Sequence, residues 1–234
     1  MEFIRVTPSI VGTAGTGLRA FTMRPKTLPL LLSLTLAGCA STSPPQCPPG
    51  MRIPSSANWR TLATGNDRER LREWRQAWVK GLEIAAAAGH AATIGGGGAL
   101  LDPDAAIAFE PPPPGDYRCR TVKLGAKSHG PLDYVAYPWS ECRIGADGEG
   151  GLRFDKLGGS QRPSGRLFAD PGRRMIFLGT LVLGDEQRPL DYGHDRERDL
   201  AGILERIGQD RWRIAFPYPA FESTVDVIEL VPVS

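Results

Sequence analysis

Long apolar runs, net charge, cysteine and histidine are all scarce in this 234-residue sequence. The apolar run Leu28 to Leu36, interrupted by Pro29, Ser33 and Thr35, is roughly half the ~20 residues that a stable membrane-spanning helix needs. A net charge of +2 is too small for a nucleic-acid partner, which shows a clustered basic face. Four cysteines without a Cys-x-x-Cys pair, and three histidines, argue against a zinc site. No metal and no cofactor is expected. There is no Gly-x-Ser-x-Gly nucleophile elbow, so no catalytic residue can be named. The glycine run Gly95 to Gly98 does not fit the dinucleotide fingerprint: Leu100 stands where the last glycine should be, and no strand precedes the run. It reads as a flexible turn.

What is present is ordinary globular sequence, 41% hydrophobic and 23% charged. Its length fits one domain, or a domain with an appendage. The 28 glycines and 21 prolines fall mostly between periodic segments, which favours short elements joined by turns.

The N-terminus reads as an address. Residues 1–22 have little periodicity and read as an over-extended gene start, with Met23 as the true beginning. Arg24 and Lys26 supply positive charge, the apolar run follows, and Leu36-Ala37-Gly38-Cys39 closes the segment. Those four residues resemble the lipobox of bacterial lipoproteins. The resemblance implies a signal peptide over 23–38, a diacylglycerol on the Cys39 thiol, cleavage before Cys39 and acylation of the new amine. Three acyl chains anchor far more firmly than one, which binds only marginally. Ala40 follows, where the lipoproteins kept in the inner membrane commonly carry Asp. By that resemblance the mature protein is held on the periplasmic side of the outer membrane. Residues 39–58 then form the lipidated cysteine and a Ser/Pro-rich tether.

Residues 59–114 read as a helical arm and a Gly/Pro-rich linker. Asn66 with Glu69 makes a capping-box pattern, and Leu71, Trp74, Trp78, Leu82 and Ala85 form one apolar stripe. The two tryptophans are expected to anchor the arm to the next domain, and Gly89 to end the helix. Pro111 to Pro114 is a stiff extended spacer. From Gly115 to residue 234 the period changes to two. Strands are predicted at Tyr117–Leu124, Tyr134–Ile144, Leu152–Leu157, Gly165–Phe168, Met175–Leu183, Leu200–Ile207, Trp212–Phe216 and Val225–Val231. Met175 to Leu183 is apolar on both faces and should be a central, doubly covered strand. The fold class is α+β: a helical arm followed by an antiparallel meander of about eight strands, closed into a barrel or packed as a sandwich. The barrel is favoured because closure removes the sheet edges.

Cys119 and Cys142 fall in the first two predicted strands. Facing residues of a hairpin share a face, and pairing these two centres the turn between Gly130 and Pro131, a natural turn dipeptide. A Cys119–Cys142 disulfide is therefore predicted, in a compartment that permits it. Cys47 lies in the tether and is expected to be unpaired.

Two segments are candidate sites. Gly158 to Gly165 is polar and turn-like, and Gln161, Arg162 and Ser164 would offer donors to a carboxylate or phosphate; a plain hairpin connection is the competing reading. Asp185, Glu186, His194 and Asp195 crowd one acidic loop that would hold a cation or a His–Asp base. Arg188, Arg196 and Arg198 are interleaved there, which favours a solvated, salt-bridged loop. The strands also carry Arg118, Arg120, Lys123, Arg143, Arg153 and Lys156, a basic pocket if several point inward. Arg118 and Arg120 have one parity and Lys123 the other.

Several stretches together resemble a known family: Gly115 to Gly125, Gly159 to Gly165, Phe177 to Glu186 and Asp226 to Pro232. They are similar to a bacterial lipoprotein family with a domain of unknown function, the DUF4893-type proteins, over roughly Trp59 to Pro232. The resemblance implies one recurrent design and brings no activity, substrate or catalytic residue. The meander is also similar, in architecture alone, to lipocalin-like barrels and to small periplasmic protease-inhibitor barrels. The expectation is a non-enzymatic envelope module that binds a small molecule or a protein. A hydrolase or metal-dependent enzyme working from the His194 loop is the alternative, and a protease inhibitor presenting its mature N-terminal arm is a third.

Overall fold

The computed structural model describes residues 58–128, 132–172 and 174–233. The expected gene start, signal peptide, lipidated Cys39, Cys47 and nearly all of the expected tether lie outside them, as do His129 and the turn predicted at Gly130-Pro131.

The period-two region folds into nine strands: β1 (Gly115–Ala126), β2 (Tyr134–Ala136), β3 (Ser140–Ala146), β4 (Leu152–Lys156), β5 (Gln161–Asp170), β6 (Arg174–Leu183), β7 (Asp199–Gly208), β8 (Arg211–Pro217) and β9 (Ser223–Pro232). Every pairing is antiparallel. β1 pairs with β2 along its C-terminal half and with β3 along its N-terminal half, so those two act as one interrupted strand. The order then runs β3 to β9, and β9 pairs back onto β1. This is a closed antiparallel barrel of eight strand positions, with no sandwich split.

The predicted continuous strand Tyr134–Ile144 is broken at Tyr137-Pro138-Trp139. Between the pairs Lys123–Val135 and Cys119–Ser140, four steps along β1 are matched by five on its partner, and the extra residue is pushed out as a bulge. Cys119 and Cys142 are therefore diagonal neighbours rather than facing ones: Cys119 faces Ser140, and Tyr117 faces Cys142. They still share the inner face, with Cα atoms 5.9 Å apart, and they form the disulfide. A bridge over a separation of 23 residues removes chain entropy equivalent to about 3 kcal/mol. β5 also begins earlier than predicted, at Gln161 rather than Gly165. The supposed polar loop is thus largely strand.

The inner face packs around aromatic rings. Phe177 meets Phe154 and Phe216 edge to face, at 6.2 and 5.3 Å between centroids. Gly165 and Gly179 face each other beneath that ring. A Cβ on Gly165 would stand 2.7 Å from the Phe177 Cζ and 2.4 Å from a backbone oxygen, so only glycine fits. The linker closes one end of the barrel. Phe109 packs on the inner cluster, the Trp212 Nε1 donates to the Glu110 carbonyl at 2.7 Å, and the Tyr117 hydroxyl donates to the Pro113 carbonyl at 2.7 Å.

The arm folds as α1 (Trp59–Leu62), α2 (Gly65–Arg72), α3 (Trp74–Ala85), a wide turn over Ala86–His90 and α4 (Ala91–Gly96). No described helix is long and apolar enough to cross a membrane. Thr64, not Asn66, caps α2: its hydroxyl accepts from the Asp67 N–H at 3.2 Å, so the cap sits two residues earlier than predicted, and no reciprocal box closes because the Thr64 N–H donates to the Tyr192 hydroxyl at 3.1 Å. Gly89 breaks the helix with a φ of 96°, but the chain resumes helical geometry. Gly95 and Gly96 end α4, and Gly98 opens a short 3-10 turn, so the glycine run is mostly helical rather than a loose turn.

The helices cover the barrel's outer face in two places. Trp78 and Ala85 pack on Val122, Ala215 and Val227, while Trp59, Ala63 and Leu71 pack on Phe168, Ile176 and Ile203. β6 is accordingly buried on both faces over Met175–Val182, as its sequence predicts. Arg213 binds the arm to the barrel. Fully buried on the outer face, it contacts Glu205 at 2.8 Å and lies 4.4 Å from the Trp78 ring centroid. It also donates to the carbonyls of Ala99, Leu100, Asp102 and Pro103. Removing one member of a buried ion pair strands the other in a dry site. Arg213→Met should cost about 3–5 kcal/mol in urea unfolding, and adding Glu205→Leu should recover part of that loss.

Candidate functional site

With one end closed by the linker, the other end of the barrel is an open mouth. It leads to a cavity of about 300 Å³, at the low end of ligand-site volumes. Leu181, Leu200, Phe216 and Ile228 form its deep apolar wall, and Tyr137, Pro138 and Trp139 of the bulge stand at its rim. No ladder joins β2 to β4 or β5 among the described residues, so the wall is notched beside this bulge.

Two lysines line the cavity. Lys123 of β1 faces Asp226 of β9 across the closing seam, and their side chains are 3.1 Å apart. The same ammonium is 3.1 Å from Glu222 and donates to the Gln161 Oε1 at 2.9 Å. Burial alone would lower the Lys123 pKa, but the Asp226 and Glu222 carboxylates outweigh it and hold the ammonium above its ordinary value. Burial pushes the Asp226 carboxyl up, against the pull of Lys123. Lys156, at the end of β4 and facing Cys142, is different. Its ammonium donates to the Gly158 carbonyl, and no described carboxylate lies within ion-pair distance. Burial, and then the charges of Arg162 and Lys123, push its pKa down.

The loop between β8 and β9 forms another part of the rim. Tyr218 and Glu222, which flank it, have φ of 46° and 66°, and they are the two non-glycine residues with positive φ among those described. A left-handed conformation costs such residues about 1–3 kcal/mol each, and strain of this kind collects at functional sites. The Glu222 carboxylate reaches the Lys123 ammonium at the rim. Lys127 holds the loop from outside, donating its ammonium to the Pro219 and Ala220 carbonyls and its backbone N–H to the Glu222 carbonyl.

The two loops singled out in the sequence are dispersed by the fold. Gln161 points into the mouth, where its amide also donates to Glu222 at 3.2 Å. Arg162 lies on the other face and donates to the carbonyls of Leu183 at 2.8 Å and Glu186 at 2.7 Å, fastening the loop after β6. Ser164 is on that outer face too, donating to the Asp155 carboxylate at 2.7 Å. In the acidic loop, Glu186 pairs with Arg198 at 2.6 Å and accepts from the Leu183 N–H at 2.8 Å. The Asp195 carboxylate accepts from the Glu197 N–H at 2.9 Å, and the His194 N–H donates to the Asp191 carbonyl at 3.2 Å. Asp185 only adds to the negative field around Arg198. No group of three or more metal-binding side chains is assembled among the described residues. Of the strand cations, Arg120 pairs with Glu229 at 2.5 Å on the outer face, Arg143 with Asp116 and Arg153 with Asp155. Only Lys123 and Lys156 face the cavity. Parity carried that signal: Lys123 shares its face with Cys119, which must point inward to reach Cys142.

The architecture is thus an antiparallel barrel sealed at one end, with a polar-rimmed apolar chamber at the other. The family model described as a domain of unknown function, DUF4893, matches residues 59–230, covering the arm and nearly all of the barrel. The chain belongs to this family. No curated protein and no solved structure matches it.

The Arg198 guanidinium, then the Leu183 N–H, pull the Glu186 pKa down to about 2. A carboxylate depressed in this way stabilises its loop above the unfolded-state pKa and loses that contribution as pH falls through the folded value. The Leu183 amide resonance should therefore hold its position down to about pH 4 and move as the pH approaches 2. In Glu186→Gln that movement should be absent.

Proposed function

We propose that the protein is a lipid-anchored envelope lipoprotein, held at Cys39 on the periplasmic side of the outer membrane, whose barrel takes up a small molecule through its mouth without chemical turnover. The mouth chamber carries this reading. It is concave and largely apolar, and a few polar groups converge on it from Lys123, Lys156 and Gln161, the usual make-up of a small-molecule site. The lipobox sequence Leu36 to Cys39 supports the anchor. Fastening of the Glu186 and Asp195 carboxylates into local hydrogen bonds supports binding over catalysis from the acidic loop.

Native mass spectrometry of the protein purified from its own membranes tests both parts. A reproducible added mass is expected beyond that of the acyl chains, and Leu200→Trp, which fills the chamber, should abolish it. Cys39→Ser should lose the acyl mass and leave the membrane fraction. A clean mass for the wild-type chain, with no ligand and no acylation, would sink the reading.

A further inference from the structure

Resting on the reading of the mouth as a ligand site, we infer that the ligand is an amphipathic monocarboxylate, with its headgroup on the Lys156 ammonium and its apolar body against Leu181, Leu200, Phe216 and Ile228. The two inward lysines are not equivalent. Lys123 is already bracketed by Asp226 and Glu222 at 3.1 Å each and by Gln161 at 2.9 Å, so its charge is spent within the protein. Lys156 faces the same chamber with the carbonyl of Gly158, two residues along the chain, as its one hydrogen-bond partner among the described residues. A half-buried ammonium without a counter-charge is costly to keep, and an incoming anion removes that cost.

Position and size narrow the class. Lys156 stands at the end of β4, beside the notch in the wall, whereas the apolar surface lies deeper. An acid entering tail first leaves its head at the lysine and the notch. A volume of about 300 Å³, at the low end of ligand sites, suits a short amphipath better than a bulky one. One ammonium and the neighbouring Ser160 hydroxyl suit a carboxylate. A phosphate dianion calls for more donors, typically a bidentate guanidinium or a cradle of N–H groups. Arg153 and Arg162, the guanidinium groups nearest in sequence on either side, are turned outward and committed to Asp155 and to carbonyls.

Titration calorimetry with octanoate, octanol, octylamine and octyl phosphate tests this on the full-length chain carrying Cys39→Ser, so that no acyl chain competes for the chamber. Octanoate should bind at least about tenfold more tightly than octanol, the worth of one charge-assisted hydrogen bond. Lys156→Met should erase that advantage without lowering the melting temperature. Lys156→Arg should restore it. Equal binding of octanoate, octanol and octylamine would overturn the acid assignment and leave the ligand-site reading standing. Tighter binding of octyl phosphate than octanoate would overturn the carboxylate. Failure of every octyl probe to bind would overturn both this inference and the reading beneath it.

Discussion

The pairing of β1 with β9, from Tyr117 opposite Pro232 to Ala126 opposite Ser223, fixes which side chains face inward. Side chains alternate strictly along a strand, so a seam of fixed register assigns both faces of both strands at once. It places Cys119 and Leu230 inside, with Thr121 and Ile228 above them, and Lys123 opposite Asp226 higher still. Val122 and Val227 go outside, under the helices. Slipping the seam by one residue would bury Arg120 in the aromatic core and expose Cys119. The Lys123–Asp226 pair also marks where packing gives way to the cavity, so one contact both ties the seam and shapes the mouth.

The two ends differ for reasons that can be followed residue by residue. At the sealed end, Trp212 and Tyr117 bring large rings and a polar tip each, and the proline-rich linker supplies the carbonyls those tips need. At the open end the strands bring Thr121, Leu181, Leu200, Phe216 and Ile228 to the chamber wall, and glycines at 165, 179 and 202 lie close against the Phe177 and Phe216 rings. The linker can reach the sealed end because Arg213 pins the segment Ala99–Pro103 to the outside of β8. The arm thus covers apolar outer faces and delivers the plug.

Much of this was legible in the sequence. The double apolar face of β6, the Cys119–Cys142 pairing and the anchoring role of Trp78 all follow from periodicity and spacing. What escaped was mostly non-local. Tyr137, Pro138 and Trp139 sit within residues of high strand propensity, and only Pro138 signalled a break; the bulge that notches the barrel follows from the register difference between β2 and β3. Gln161 and Ser164 look like one loop in sequence, yet strand alternation sends them to opposite faces of β5. The mouth and its chamber gather residues from β1, from β3 to β9 and from the loop before β9. No local pattern could have joined them before closure of the barrel was known.

The central claim is that closure, and it is best tested by nuclear Overhauser contacts across the seam. Backbone contacts are expected between Thr121 and Ile228 and between Lys123 and Asp226, with slowly exchanging β1 and β9 amides between them. Absence of these contacts, with β9 amides exchanging freely as on an exposed sheet edge, would contradict the closed barrel and the chamber that depends on it.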